Sequence, residues 1–258
     1  MRATLRLGRF FGVDVAAHWS VLVIAVLMSY GLAGGIADAT LWVVVVPTVL
    51  VFLGSLLAHE LSHSVVAKRN GMEVRGITLW MLGGVAQLGG PMPTAGAEFR
   101  IAAAGPAMSY ALAASFFGLF TLAGPLGAPD LMVQALQWLA FVNVVLGTFN
   151  LIPAAPLDGG RILASAIWAA TRDRTRGEIV ATRVGQGFGG LLVAAGLVGP
   201  FVGIPFVSLW TAFMGLFVLR AATAEYQNAR LSAAVHDLKR RDEMITEPET
   251  LSGSTATA

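Results

Sequence analysis

Two histidines and a glutamate that could hold and use a metal ion lie together in the run His59-Glu60-Leu61-Ser62-His63. If this run is helical, the two histidines share one face, because residues four apart are neighbours on a helix. Two imidazole nitrogens at about 2 Å from one zinc ion need this convergence. Glu60, beside the first ligand, is placed to take a proton from zinc-bound water. The run therefore matches the H-E-x-x-H pattern of zinc peptidases.

A catalytic zinc site needs a third protein ligand and leaves one position for water. The chain has no cysteine, which excludes thiolate ligands, and it has four histidines. We expect His18, beside Trp19 at the start of an apolar run, to be an interfacial anchor, and His236 lies in a polar tail. Asp158 is the remaining candidate, although aspartate is also a common N-cap, and its own segment favours cap and ligand equally.

The composition indicates that most of the chain contacts lipid. Only 12% of the residues are charged and 56% are hydrophobic, with a mean hydropathy of +0.72, whereas soluble domains carry about 25% charged residues. A helix needs roughly 20 apolar residues to cross the bilayer core. Six runs approach or exceed this length: 18–36, 41–67, 97–123, 131–151, 186–202 and 205–222. The predicted fold class is an all-α membrane protein with six transmembrane helices.

The basic residues indicate how these six runs are oriented. If both termini are cytoplasmic, the outer loops near Asp38, Asp130 and Gly203 contain no Lys or Arg, and all 17 basic residues fall on the inner side. His63 then lies five residues before the basic edge at Lys68. Asp158 follows a run that descends to the same side, so the two groups are expected at matching depths. This match in depth favours the role of Asp158 as a metal ligand over its role as an N-cap.

Four segments are not expected to span the membrane. Residues 72–90, with Gly83-Gly84 inside an apolar stretch, predict a small re-entrant or interfacial β-hairpin. Residues 162–171 predict a short helix at the inner face. Residues 225–243 predict a solvent-side helix that continues the last span, and 246–258 are expected to be disordered. The chain is thus divided into a membrane domain, 1–224, and a polar cytoplasmic tail, 225–258.

Two of these motifs, His59–His63 and Asn150–Gly160, together resemble the site-2 proteases, the intramembrane zinc metalloproteases of peptidase family M50. The resemblance implies that His59, His63 and Asp158 bind one Zn²⁺ per chain and that Glu60 is the catalytic base. It further implies that Asn150 helps to bind substrate or to stabilise the oxyanion, a role that backbone amides could also fill.

Three shorter matches extend the resemblance. The segment 83–86 is similar to the family's Gly-Gly-x-Ala segment, which implies that Gly83 and Gly84 face substrate, although a plain hairpin turn explains them equally well. Gly105-Pro106 resembles a Gly-Pro motif of the third span, and here Gly105 is expected to allow close helix packing. The family often has Asn where this chain has Ser109, which weakens a specific role for Ser109. Residues 242–251 resemble the start of a CBS domain, truncated here, or form a degenerate tail.

The resemblance implies regulated intramembrane proteolysis, in which a peptide bond in or near a transmembrane segment is hydrolysed. The implied partners are the lipid bilayer and a transmembrane substrate such as a membrane-tethered anti-sigma factor, and a homodimer is left open. The implied location is the plasma or inner membrane, as a multi-pass protein with cytoplasmic termini. A nucleic-acid partner is not expected, because the net charge is only +2 and no long basic block stands outside the tail.

Two alternatives from other classes use the same residues. A zinc or proton transporter would need ionisable groups along a path through the membrane, and the outer halves of the spans have almost none. A non-catalytic membrane scaffold would be expected to lose Glu60, which is present.

Overall fold

The computed structural model describes residues 5–34, 39–80, 83–204 and 208–245. These residues form a mostly helical fold with one small sheet. In chain order the elements are β1 (Leu5–Phe10), β2 (Val13–Ala17), α1 (Ser20–Leu32), α2 (Ala39–Arg69), β3 (Glu73–Trp80), β4 (Gly83–Gly89), α3 (Ala95–Ala123), α4 (Asp130–Asn150), α5 (Asp158–Thr171), α6 (Arg174–Val202) and α7 (Leu209–Ile245).

Four of the helices are long and apolar enough to cross a membrane, namely α2 from Leu41 onward, α3, α4 and α6. They match the second to fifth predicted runs, but α6 begins at Arg174, well before the predicted start at residue 186. The other two runs correspond to shorter or more polar elements. Helix α1 has 13 residues, or about 20 Å of rise, and α7 continues past its apolar part to Ile245.

The predicted hairpin is present as β3 and β4, which pair antiparallel from Glu73–Gly89 to Trp80–Gly83. Its turn, with Met81, lies outside the described residues, as do the loop around Asp38 and the predicted disordered end, 246–258. The prediction of an all-α fold is wrong in one respect, because β1 and β2 complete a four-stranded sheet in the order β1-β2-β3-β4. Strand β2 pairs parallel with β3, and β1 pairs antiparallel with β2.

The sheet is packed against α2 by apolar side chains on one of its faces. Val13 and Ala17 of β2 form a buried cluster with Ile77 and Leu79 of β3. Leu57 and Leu61 of α2 pack against this cluster, on either side of His59. The alternation of side chains along a strand therefore fixes which face of the sheet meets the turn of α2 that carries the H-E-x-x-H run.

The segment between α4 and α6 contains the predicted inner-face helix. Helix α5 covers the predicted 162–171 and begins four residues earlier, at Asp158 itself. Gly160 lies so close to the backbone at Ala154 and Ala155 that any larger residue would collide there. This close packing holds the start of α5 against the turn that follows α4.

Candidate metal centre

Helix α2 and the first turn of α5 bring two imidazoles and a carboxylate together. The Nε2 atoms of His59 and His63 each lie 3.2 Å from Oδ2 of Asp158. One ligand atom from each residue lies within 4.8 Å of the others. The imidazole centroids are 4.9 Å apart and their planes are inclined by 76°. Within the described part of the chain, this is the group of His, Asp and Glu side chains that could hold a metal ion.

The geometry of this group fits zinc. Ligand atoms at about 2.0–2.1 Å from a tetrahedral zinc ion are separated by about 3.3 Å, which matches the two distances of 3.2 Å. Two histidines and a carboxylate are also a known donor set of catalytic zinc sites, which leave a fourth position open. His59, at 2% exposure, is buried, so the group lies inside the protein.

The far nitrogen of each imidazole has its own hydrogen-bond partner. His63 Nδ1 donates to the carbonyl oxygen of Ile101 over 2.6 Å, and His59 Nδ1 lies 2.8 Å from the hydroxyl oxygen of Ser109. Such partners orient the ring and fix which nitrogen carries the proton. Nε2 of both rings is thereby left to face the carboxylate of Asp158.

Ser109 and Gly105 of α3 are the residues whose roles the sequence analysis missed. Ser109 is fully buried and contacts His59, so the inference that its role was weakened is wrong. A Cβ atom on Gly105 would overlap Nε2 of both His59 and His63. Gly105 does allow close packing, as expected, but its neighbours are the two imidazoles. The four-residue spacing, which places Gly105 and Ser109 on one helix face, was the available signal.

Asp158 directs its carboxylate to the histidines and does not cap α5. The N-cap residue is Leu157, and no side-chain hydrogen bond caps the helix. Burial by itself raises the pKa of Asp158, but the hydrogen bonds with His59 and His63 outweigh it and hold the pKa well below its usual value. The carboxylate is therefore ionised at neutral pH, as a metal ligand must be.

Glu60 is held by strand β4. The backbone N–H of Gly84 donates to Oε1 of Glu60 over 3.0 Å. A Cβ on Gly84 would lie 2.6 Å from Cδ of Glu60, so only glycine lets the strand pass this close. Gly83 has φ +137° and also borders Glu60. Both glycines thus lie in β4 beside the glutamate, and their contact with substrate stays a prediction.

These side chains open onto one cavity of about 400 Å³, the catalytic cavity, whose lining includes His59, Glu60, His63, Asp158, Gly83, Gly84 and Asn150. Asn150 donates from Nδ2 to the carbonyl oxygen of Leu146, which leaves its second N–H free for the cavity. His18 is not part of this site, since it contacts Trp19 and Ser20. The side chain of His236 lies outside the described residues.

Comparison with known proteins gives matches that cover most of the chain. The family model for peptidase family M50 matches residues 47–126 and 121–192. The "Putative zinc metalloprotease Rip3" of Mycobacterium tuberculosis is 41% identical over 261 residues, 98% of this chain and 66% of the relative. The "Putative zinc metalloprotease sll0528" of Synechocystis is 38% identical over 258 residues, 95% of this chain and 65% of the relative.

A solved structure shares the fold. The structure described as "Site-2 Protease from Methanocaldococcus jannaschii" aligns with a TM-score of 0.59 and 28% sequence identity, and it covers 86% of this chain and 94% of that chain. The chain spans about two thirds of the length of the two curated relatives named above, 66% and 65%.

Proposed function

The chain belongs to peptidase family M50, and on this premise we propose that it is an intramembrane zinc metalloprotease. It hydrolyses a peptide bond in or next to a transmembrane segment of a membrane protein. One observation carries the proposal, namely that Nε2 of His59, Nε2 of His63 and Oδ2 of Asp158 converge in the cavity that also contains the Glu60 carboxylate.

In this proposal His59, His63 and Asp158 hold one Zn²⁺ per chain. Bound zinc supplies a Lewis acid that polarises a water molecule and the scissile carbonyl group. Glu60 takes a proton from the attacking water and passes it to the nitrogen of the leaving amine as the C–N bond breaks. The hydrogen bond from the N–H of Gly84 to Oε1 orients the carboxylate of Glu60 for this transfer.

Substrate binding is assigned to three residues, Asn150, Gly83 and Gly84. The second N–H of Asn150 is available to the carbonyl oxygen that gains negative charge during the reaction. Strand β4 has a strand partner on one side only within the described residues. An extended substrate segment can therefore pair with its other edge by β-augmentation, beside Glu60. This arrangement requires the substrate helix to unwind locally.

The membrane arrangement we propose has six spans with both termini in the cytoplasm of a cell with a plasma or inner membrane. Helix α1 and the apolar start of α7 add two spans to the four helices of spanning length. Residues 1–224 form the membrane domain, and 225–258 form a cytoplasmic tail, in which α7 continues as a helix to Ile245. The absence of Lys and Arg from the proposed outer loops supports this orientation.

The proposed substrate class is a membrane-tethered regulator such as an anti-sigma factor, acted on by a monomer or a homodimer. The two alternative functions are not favoured. A transporter would need ionisable groups across the bilayer, yet residues 101–129 contain no charged residue. A scaffold would not require the hydrogen bond that holds Glu60 beside the proposed ligands.

The test compares wild type with Glu60→Gln. Both proteins are purified, their zinc content is measured by mass spectrometry, and each is incubated with a transmembrane substrate. We expect about one zinc per chain in both and cleavage by wild type alone, because the amide cannot accept the proton. Glu73→Gln, which changes an exposed carboxylate of β3, is the matched control and should cleave. A wild type without zinc, indistinguishable from Glu60→Gln, would leave the scaffold as the better account.

A further inference from the structure

Two more cavities adjoin the catalytic cavity, one on each side. The first, about 260 Å³, is lined by apolar side chains that include Phe52, Leu53 and Leu56, and it shares Trp80 and Gly83 with the catalytic cavity. We refer to it as the apolar cavity. The two cavities are therefore neighbours that meet at Trp80 and Gly83, beside Glu60.

The second, about 360 Å³, has three carboxylates in its lining, Glu98, Glu178 and Glu225, and we refer to it as the acidic cavity. It shares Arg161 and Glu225 with the catalytic cavity. A bound segment could therefore run from the apolar cavity, past the metal centre, into the acidic cavity.

The order of residues along α2 and α3 gives this path a direction. On α2, residues 52–56 of the apolar cavity precede His59, and Met72 of the acidic cavity follows the basic end of the helix. On α3, Glu98 lies one turn before Ile101, the residue bonded to His63. With the proposed topology, the apolar cavity lies deeper in the membrane and the acidic cavity lies at its cytoplasmic side.

The charges in the acidic cavity do not balance. Glu178 is paired with Arg174 over 2.8 Å, which leaves Glu98, Glu225 and Arg161. Burial raises the pKa of Glu225, and the nearby positive charge of Arg161 opposes this rise. The charges of Arg174 and Arg161 also act on Glu98, but neither residue lies within ion-pair distance of it among the described residues.

The side chain of Glu98 is the evidence that this cavity binds a ligand. It is 7% exposed, and its Oε2 atom is buried without a hydrogen-bond partner among the described residues. A buried carboxylate oxygen without a donor is unfavourable, and an arriving ammonium or guanidinium group would supply that donor together with the missing charge.

We propose that the acidic cavity is a substrate subsite that receives a Lys or Arg side chain on the cytoplasmic side of the scissile bond. This inference rests on the proposed function and specifies its substrate class. Transmembrane proteins carry their Lys and Arg at the cytoplasmic flank of the span, which is the end of the path that Glu98 and Glu225 line. The apolar cavity receives the lipid-embedded side of the same segment.

The distance along the path sets the position of the basic residue. Glu98 is about 4.5 Å along α3 from Ile101 at the helical rise of ~1.5 Å per residue. An extended substrate advances by ~3.3 Å per residue. This offset corresponds to between one and two extended residues, so we expect the preferred basic residue within about two positions of the scissile bond.

The test uses matched transmembrane substrates with Lys, Gln or Glu at each of these positions. For wild type we expect kcat/KM to be about tenfold higher with Lys than with Gln at one or two positions, as for a hydrogen bond to a charged group. In Glu98→Gln this ratio should fall to near one. Glu73→Gln is the control and should keep the wild-type ratio. Zinc content and thermal melting confirm that each variant is folded and loaded.

Two further measurements separate the subsite from the protease activity. Zinc-loaded Glu60→Gln should bind the Lys peptide about tenfold more tightly than the Gln peptide, a difference that does not depend on cleavage. Glu98→Lys should reverse the preference and favour the Glu substrate. If zinc-loaded wild type cleaves no substrate, the proposed function fails and the binding ratio alone decides the subsite. Equal cleavage and equal binding of all three substrates would overturn the subsite and leave the protease standing.

Discussion

Replacement of Gly105 by alanine should remove the metal while leaving the helix bundle folded. A Cβ at this position would lie 2.5 Å from Nε2 of His59 and still closer to Nε2 of His63. Carbon atoms in contact are normally about 3.5–4.0 Å apart, so each imidazole would have to move by about 1 Å or more. Zinc–nitrogen distances tolerate only about ±0.2 Å. The two Nε2 atoms cannot both move by this much and still converge with Asp158.

The measurement is the affinity for zinc, determined by competition with a chelator of known affinity and read by mass spectrometry. We expect Gly105→Ala to weaken zinc binding by at least the 10- to 100-fold that follows loss of an outer-shell partner. Overpacking of this kind costs about 1–3 kcal/mol of folding free energy, so thermal melting should report a folded protein. Gly118→Ala, in the same helix with nothing within 4 Å of the added atom, should bind zinc normally. Wild-type zinc affinity in Gly105→Ala would refute the reasoning.

Two other substitutions divide metal binding from proton transfer. Ser109→Ala removes the partner of His59 Nδ1 and should lower the zinc affinity by about 10- to 100-fold. Ser115 is an exposed serine of the same helix, so Ser115→Ala should leave the zinc affinity unchanged. Equal zinc affinities in the two variants would contradict a positioning role for Ser109. Gly84→Ala would place a Cβ 2.6 Å from Cδ of Glu60, so we expect zinc to be retained while kcat falls by about 100-fold or more, as for a misplaced catalytic group. If Gly84→Ala lost both its zinc and its activity, the substitution would have disturbed the metal ligands and not Glu60 alone.

The sequence predicted the group of His59, His63 and Asp158 because short-range geometry and membrane depth both constrain it. The spacing of the two histidines determines their common face once the segment is helical. The inner ends of two apolar runs then bring Asp158 to the same level. The structure places these three residues together, and their roles as ligands stay predictions.

The parts that the sequence did not reveal depend on long-range contacts. Strand β2 has only five residues, and its alternation of Val13, Val15 and Ala17 is easily lost beside the long apolar run that follows. Its pairing with β3 spans two intervening helices. In the same way, the spacing of Gly105 and Ser109 predicts that they share a helix face, but it does not indicate that Ser109 contacts an imidazole fifty positions away. The early start of α6 was hidden because its first turns are polar.

The parallel pairing of Val15 with Ile77 bears on when the catalytic centre can form during synthesis. Two parallel neighbours cannot be joined by a tight turn and need a crossover, which is here the pair α1 and α2. Strand β2 leaves the ribosome first and must wait for both helices before β3 can dock on it. Within the described residues β3 is the strand partner of β4, and β4 carries Gly84 to Glu60. Asp158 is synthesised later still, so the carboxylate of Glu60 can be held against β4 before the group of proposed metal ligands is complete.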